Sequence, residues 1–116
     1  MSASVKILEP AGILDSNKAE EFRQQVDHAL DEGNDILLIN LKDISFVDSS
    51  GLGALVVAMK KAKAHERRMY VCSINEQVRM LFELTSMDRV FEVFSDRQEF
   101  EQKVLNAAAT DTANED

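Results

Sequence analysis

Apolar positions along this chain fall into short runs that alternate with longer stretches of helical spacing. Val5 to Leu8 is short, β-branched and apolar, reads as a strand, and is ended by Pro10 and Gly12. Ile13-Leu14-Asp15 either extends that strand or folds back against it. Asn17-Lys18-Ala19-Glu20 has the form of a helix start, an Asn cap with Glu three residues on. Ala19, Phe22, Val26 and Ala29/Leu30 then form one apolar stripe, and Gly33 stops it. Asp35 to Leu41 is an almost unbroken apolar run, the pattern of a strand covered on both faces. A polar loop from Asp43 follows, and Leu52, Leu55, Val56 and Met59 recur as the stripe of a helix running to about His65. Arg68 to Ile74 is a second buried strand, and Asn75 opens a helix with Val78, Leu81, Phe82 and Thr85 on one face. Ser86-Met87-Asp88 breaks that helix, and Val90 to Phe94 is a short last strand. Ser95 with Gln98 forms a capping box for a final helix anchored by Phe100 and Val104. The alternation predicts a single α/β domain over residues 1–105, a mostly parallel sheet of about four strands packed with about four helices. Residues 106–116 are small, polar and acidic and are expected to be a disordered tail.

Composition narrows the function. The 116 residues carry 21 acidic against 13 basic side chains, a formal net charge of −8. Such a surface repels phosphate backbones and anionic lipid, which argues against nucleic-acid and membrane-surface roles. The apolar runs are too short to span a bilayer, and Met1 to Glu9 has no basic, then long apolar, leader pattern. The one cysteine, Cys72, lies in an apolar run without a disulfide partner and reads as a small core residue of a reduced, cytoplasmic protein. A monomer is expected.

The candidate chemistry gathers around residues 43–53. A strand, a polar loop and a helix N-terminus meet at Ser49 and Ser50, with Asp48 or Ser49 placed to cap the free N–H groups. Helix N-termini of this kind hold anions and phosphorylated groups, although a well-capped helix with no further duty has the same residues. Enzyme motifs are missing: no phosphate loop, no dinucleotide fingerprint and no nucleophile elbow around Ser49. Asp43 and Asp48 lack the acidic partners of a metal site, and His28 has no second ligand at i+4, so no metal or other cofactor is expected. With Leu52 at the centre of its helix's buried stripe, Gly53, Ala54, Val57, Ala58, Lys61 and Ala64 turn outward. Small and apolar residues there suit close approach of another protein. The alternative is that Ala simply favours helix and a neighbouring helix covers part of this face.

Val47-Asp48-Ser49-Ser50-Gly51-Leu52-Gly53, behind a strand ending in Asn40-Leu41, resembles the phosphorylation segment of bacterial anti-sigma factor antagonists, members of the STAS domain family. Gly12-Ile13-Leu14-Asp15, and Val71 to Asn75 leading to Val78-x-x-Leu81-Phe82, resemble that family too, so the likeness covers Val5 to Val104. It implies a small α/β domain with a mostly parallel, mixed-edge sheet. It also implies binding to an anti-sigma factor that is a serine kinase of the histidine-kinase-like ATPase fold, with release of a sigma factor. Ser49 would be the phosphoacceptor, a phosphoserine phosphatase would reverse the modification, and the protein would be a kinase substrate and not an enzyme. The partner surface is expected to include Asp15, Asp48, Ser50, Gly51, Gly53, Ala54, Val57 and Lys61. The family has a further strand ahead of the one at Val5, so the sheet edge is expected to be shortened or made differently. Two other classes fit the pattern: a STAS switch in a scaffold, cell-surface signalling or lipid-transport pathway, and a receiver domain. The receiver reading lacks its acidic pair, since Glu9 stands alone, and its lysine, which Val90 to Ser95 does not supply.

Overall fold

Ile36–Asn40 (β3) is buried at every position, so both faces of the strand must be covered. A computed structural model describes residues 3–106 and shows how this is done. The other strands are Val5–Leu8 (β1), Gly12–Leu14 (β2), Ile44–Val47 (β4), Arg68–Cys72 (β5) and Val93–Phe94 (β6). The helices are Ser16–Asp31 (α1), Ser49–Ala64 (α2), Glu76–Leu84 (α3) and Arg97–Phe100 (α4), the last continuing in wider turns to Asn106. The main sheet has the order β1-β3-β5-β6, with every neighbour parallel. The strands thus advance in one direction across the sheet, and right-handed crossovers then place successive helices on the same side. Accordingly, Leu37, Ile39, Met69 and Val71 pack with Phe22 and Val26 of α1, Leu55 and Met59 of α2, and Val78 and Phe82 of α3. The opposite face, Ile36, Leu38, Tyr70 and Cys72, is covered by Phe100 and by Val104 and Leu105 beyond it. Tyr70, Phe94 and Phe100 anchor that cover with ring centroids 5.5 to 5.8 Å apart.

The polar loop expected from Asp43 contains a strand. β4 pairs in parallel with β2 to form a separate two-stranded sheet, so Ile13-Leu14 neither extends β1 nor folds back on it. The register shifts between Gly12, opposite Ile44, and Ile13, opposite Phe46, leaving Ser45 as an extra residue. That bulge moves the side-chain phase by one. Ile44 and Val47 point inward while Ser45 and Phe46 both face out, which hides the period of two from a sequence reading.

Two caps also differ from expectation. Asp15, not Asn17, caps α1, its Oδ1 accepting from the backbone N–H of Asn17 at 3.0 Å and of Lys18 at 3.3 Å. Asp96, not Ser95, caps α4 through Glu99 N–H at 2.8 Å, and Glu99 Oε1 accepts from Ser95 N–H at 2.8 Å. Either pattern contains a plausible cap one or two residues away, and a carboxylate is the better acceptor for backbone N–H groups. The last strand is shorter than Val90 to Phe94, because Val90 closes a 3-10 turn over Met87–Arg89. β1 forms an edge of the main sheet, where the family resemblance leads one to look for a further strand. Cys72 is fully buried in the core, and the burial pushes its thiol pKa up. The tail expected over 106–116 lies, beyond Asn106, outside the described residues.

Candidate phosphoacceptor site

The two-stranded sheet sets two helix starts side by side. Ile13 pairs with Phe46 and Leu14 with Val47, so Asp15 and Asp48 follow at equivalent places, each capping the helix that its strand leads into. Asp48 Oδ1 accepts from Gly51 N–H at 2.8 Å, and its own N–H donates to the Leu14 carbonyl at 3.2 Å. The cap of α2 is therefore Asp48. Ser49, the first residue of the helix, is exposed and stands outside the capping hydrogen bonds. Ser50 is exposed beside it.

Gly51 serves the fold. It is buried, and a Cβ on it would lie 2.0 Å from the Leu14 carbonyl oxygen, so only glycine lets the first turn of α2 rest on β2. It offers no surface to a partner. Gly53 is the opposite case: it is exposed, and among the described residues a Cβ on it would meet nothing within 4 Å beyond its chain neighbours and its own helix backbone.

α2 packs beside α1, and this alters the expected outer face. Ala58 is buried, contrary to its expected outward direction, because the neighbouring helix covers it. A groove of about 270 Å³ remains between the two helices, bordered by Ser16, Arg23, Ser50, Gly53, Ala54 and Val57. Val57 is exposed there, and Ala54 is half-buried. Lys61 closes one end through an ion pair with Asp27 of α1 at 2.8 Å, while Arg23 pairs with Glu20, which raises the guanidinium pKa further. Asp15 is half-buried with its carboxylate committed to the α1 cap.

Two apolar side chains near the site escaped the sequence reading. Ile13 and Phe46, cross-strand neighbours, are 50% and 45% exposed, and each lies three residues ahead of a helix's first residue. Ser49 thus stands three residues after Phe46 and next to Ser50, which borders the α1–α2 groove. The outer edge of β4 is closed by side chains of α3: Gln77 bonds both backbone groups of Val47, and Asn75 donates to the carbonyls of Ile44 and Ser45. Among the described residues, no group of three or more His, Cys, Asp or Glu side chains is placed to hold a metal ion. No described helix is long and apolar enough to cross a membrane.

The STAS domain family model matches residues 2–100. This chain belongs to the STAS domain family. The STAS chain is 28% identical over 91 residues to the anti-sigma F factor antagonist of Paenibacillus polymyxa, covering 78% of each. It is 26% identical over 82 residues to the anti-sigma-B factor antagonist of Staphylococcus aureus, covering 71% of this chain and 76% of the relative. Its fold matches the crystal structure of a candidate anti-sigma factor antagonist from Thermotoga maritima with a TM-score of 0.80 at 29% identity, over 86% of each chain. A sulfate transporter family protein from Wolinella succinogenes shares the fold with a TM-score of 0.74 at 13% identity, over 82% of this chain and 80% of that one. The likeness extends to the α/β architecture with its mostly parallel sheet and to relatives that are anti-sigma factor antagonists.

Proposed function

We propose that this STAS domain binds an anti-sigma factor that is also a serine kinase, frees a sigma factor by doing so, and is switched off by phosphorylation of Ser49. The observation that carries the proposal is the placement of Ser49. It is exposed on a helix start whose cap is supplied by another residue, Asp48, three residues after the exposed Phe46 and next to Ser50, which borders the α1–α2 groove. The hydroxyl can be modified without removing a structural hydrogen bond. A phosphate brings about −1.5 to −2 charges onto a surface that must press against a partner. Asp48 is adjacent and the chain already carries a net charge of −8, so repulsion adds to desolvation. A loss of about 2–4 kcal/mol would weaken binding roughly 30- to 1000-fold. The N-terminal end of α2 offsets part of the new charge within the domain, so the switch leaves the fold intact.

Nucleotide and kinase active site belong to the partner, of the histidine-kinase-like ATPase fold. This protein is the substrate, a cytoplasmic monomer reset by a phosphoserine phosphatase. The docking surface is Ile13 and Phe46 on one side of Ser49 and Ser50, Gly53, Ala54 and Val57 on the other. Incubation with the kinase and ATP, followed by phosphopeptide mapping, tests the acceptor; phosphate on Ser50 in place of Ser49 overturns the assignment. Capture with Ser49→Ala from source cells identifies the partner. The transporter-family neighbour supports a second reading, the same switch in a pathway with no sigma factor. Capture of a kinase that holds no sigma factor would favour it.

A further inference from the structure

We propose that Gln77 is a positioning residue for phosphoryl transfer to Ser49, holding the phosphoacceptor segment from α3 by taking the place of a neighbouring strand. The proposal rests on the reading of Ser49 given above. Among the described residues, β4 has a partner strand on one edge only. Its other edge would leave backbone groups unpaired, including those of Val47, which is fully buried, and buried unpaired groups are costly. Gln77 satisfies both groups of Val47: the residue's N–H donates to Oε1 at 2.9 Å, and Nε2 donates to its carbonyl at 2.9 Å. Only one orientation of the carboxamide places donor against acceptor at both ends. Asn75 supports it, with Oδ1 capping α3 through Val78 N–H at 2.9 Å while Nδ2 reaches the Ile44 and Ser45 carbonyls at 3.2 and 3.1 Å.

The place of these bonds gives them a reach beyond satisfying the backbone. Val47 is two residues before Ser49. From Val47 onward the segment is fixed at consecutive points: Val47 by Gln77, Asp48 N–H by the Leu14 carbonyl, and Gly51 N–H by the Asp48 carboxylate. Ser49 lies between the last two and has no side-chain tether in the cap. Its hydroxyl position is therefore inherited from the backbone, and the backbone is held on one side by α3. Phosphoryl transfer is sensitive to such placement, since a shift of about 1 Å can cost roughly 100-fold in rate. Gln77 acts through Val47 and touches no reacting atom.

The test uses the full chain, ATP and the kinase captured with Ser49→Ala. Steady-state phosphorylation is measured for wild type, Gln77→Met and Gln77→Glu, with amide exchange at Val47 and a thermal melt for each. Methionine keeps length and apolar volume but makes neither bond; glutamate keeps the acceptor for Val47 N–H and loses the donor. The expected result is a kcat roughly 10- to 100-fold lower for Gln77→Met with KM within about twofold, a smaller loss for Gln77→Glu, and faster Val47 exchange in the order Met, Glu, wild type. Unchanged kcat with faster Val47 exchange overturns the proposal and leaves Gln77 as a backbone partner alone. A rise confined to KM also overturns it, placing Gln77 in docking. If Gln77→Met does not fold, Gln77→Glu decides by the same kinetic split. If wild type takes no phosphate on Ser49, the reading of the site fails and the proposal with it, an outcome distinct from an unchanged rate.

Discussion

Gly51 lies against the backbone of Leu14, whose carbonyl oxygen occupies the space a Cβ would need, 2.0 Å away. Three residues share this contact, because the Leu14 carbonyl also accepts from Asp48 N–H and the Asp48 carboxylate accepts from Gly51 N–H. Gly51→Ala should therefore force α2 off β2 and destabilise the domain by about 3 kcal/mol, the upper end for overpacking against something that cannot give. Two glycines in one helical turn thus predict opposite outcomes. Gly53→Ala meets nothing within 4 Å and should raise stability by up to about 1 kcal/mol through helix propensity. Thermal melts of the two variants check both signs. Gly53→Leu should fold and weaken partner binding; undiminished affinity would move the docking face elsewhere.

Ser49→Ala should bind the partner constitutively with little loss of stability, since Asp48 supplies the cap. Ser49→Asp adds one charge beside Asp48, about half that of a phosphate, and should bind more weakly. The gap should narrow as salt rises and screens exposed charge. Titrations at low and high ionic strength, with melts alongside, separate this from a folding defect. Equal affinities at low salt for two folded variants would make the domain a constitutive interaction module.

Ile13→Ser and Phe46→Ser remove exposed apolar surface from the small sheet without opening the core. Stability should change by no more than about 1 kcal/mol, while affinity for the partner falls by roughly 10-fold or more if either is an anchor of the interface. Calorimetry of binding next to a denaturant titration reads the two quantities separately.

Cys72 should resist thiol reagents in the native state and react on unfolding, because it is fully buried and burial disfavours its thiolate. The folded thiol pKa lies above the unfolded one, so its contribution to stability is complete below the unfolded pKa and is lost as pH rises through the folded one. Comparing wild type with Cys72→Ala above the ordinary thiol range should show a steeper alkaline decline for wild type. Labelling kinetics across a denaturant series check the first half of the prediction.

Long elements with strong periodicity could be read directly from the residues. β3 announces itself by five consecutive buried positions, and α3 by the stripe of Val78, Leu81 and Phe82 behind an Asn75 cap that the structure retains. β4 could not be read this way, because the extra residue at Ser45 turns alternation into in, out, out, in. With β4 hidden, its pairing with β2, the exposed Ile13–Phe46 pair and the roles of Asn75 and Gln77 at its edge were hidden too. The Ala58 error has another cause. A helical wheel separates inward from outward relative to the sheet, but α1 makes a second inward direction for α2. Gly51 was visible as a motif glycine, yet its neighbour is a carbonyl 37 positions earlier, and nothing local signals that contact.

The cover on the second face of the sheet has a bearing on biosynthesis. Among the described residues, Ile36, Leu38, Tyr70 and Cys72 are covered by Phe94, Phe100, Val104 and Leu105, late in the described chain, with Val5 and Ile7 beside them. A nascent chain emerging from the ribosome can assemble α1, α2 and α3 on their side well before that cover exists. Until Phe100 clears the exit tunnel, it carries a sticky, half-dressed sheet with the Ser49 end already made. A stop codon placed ahead of Phe100 should therefore leave this face of the sheet uncovered and yield a chain that chaperones retain.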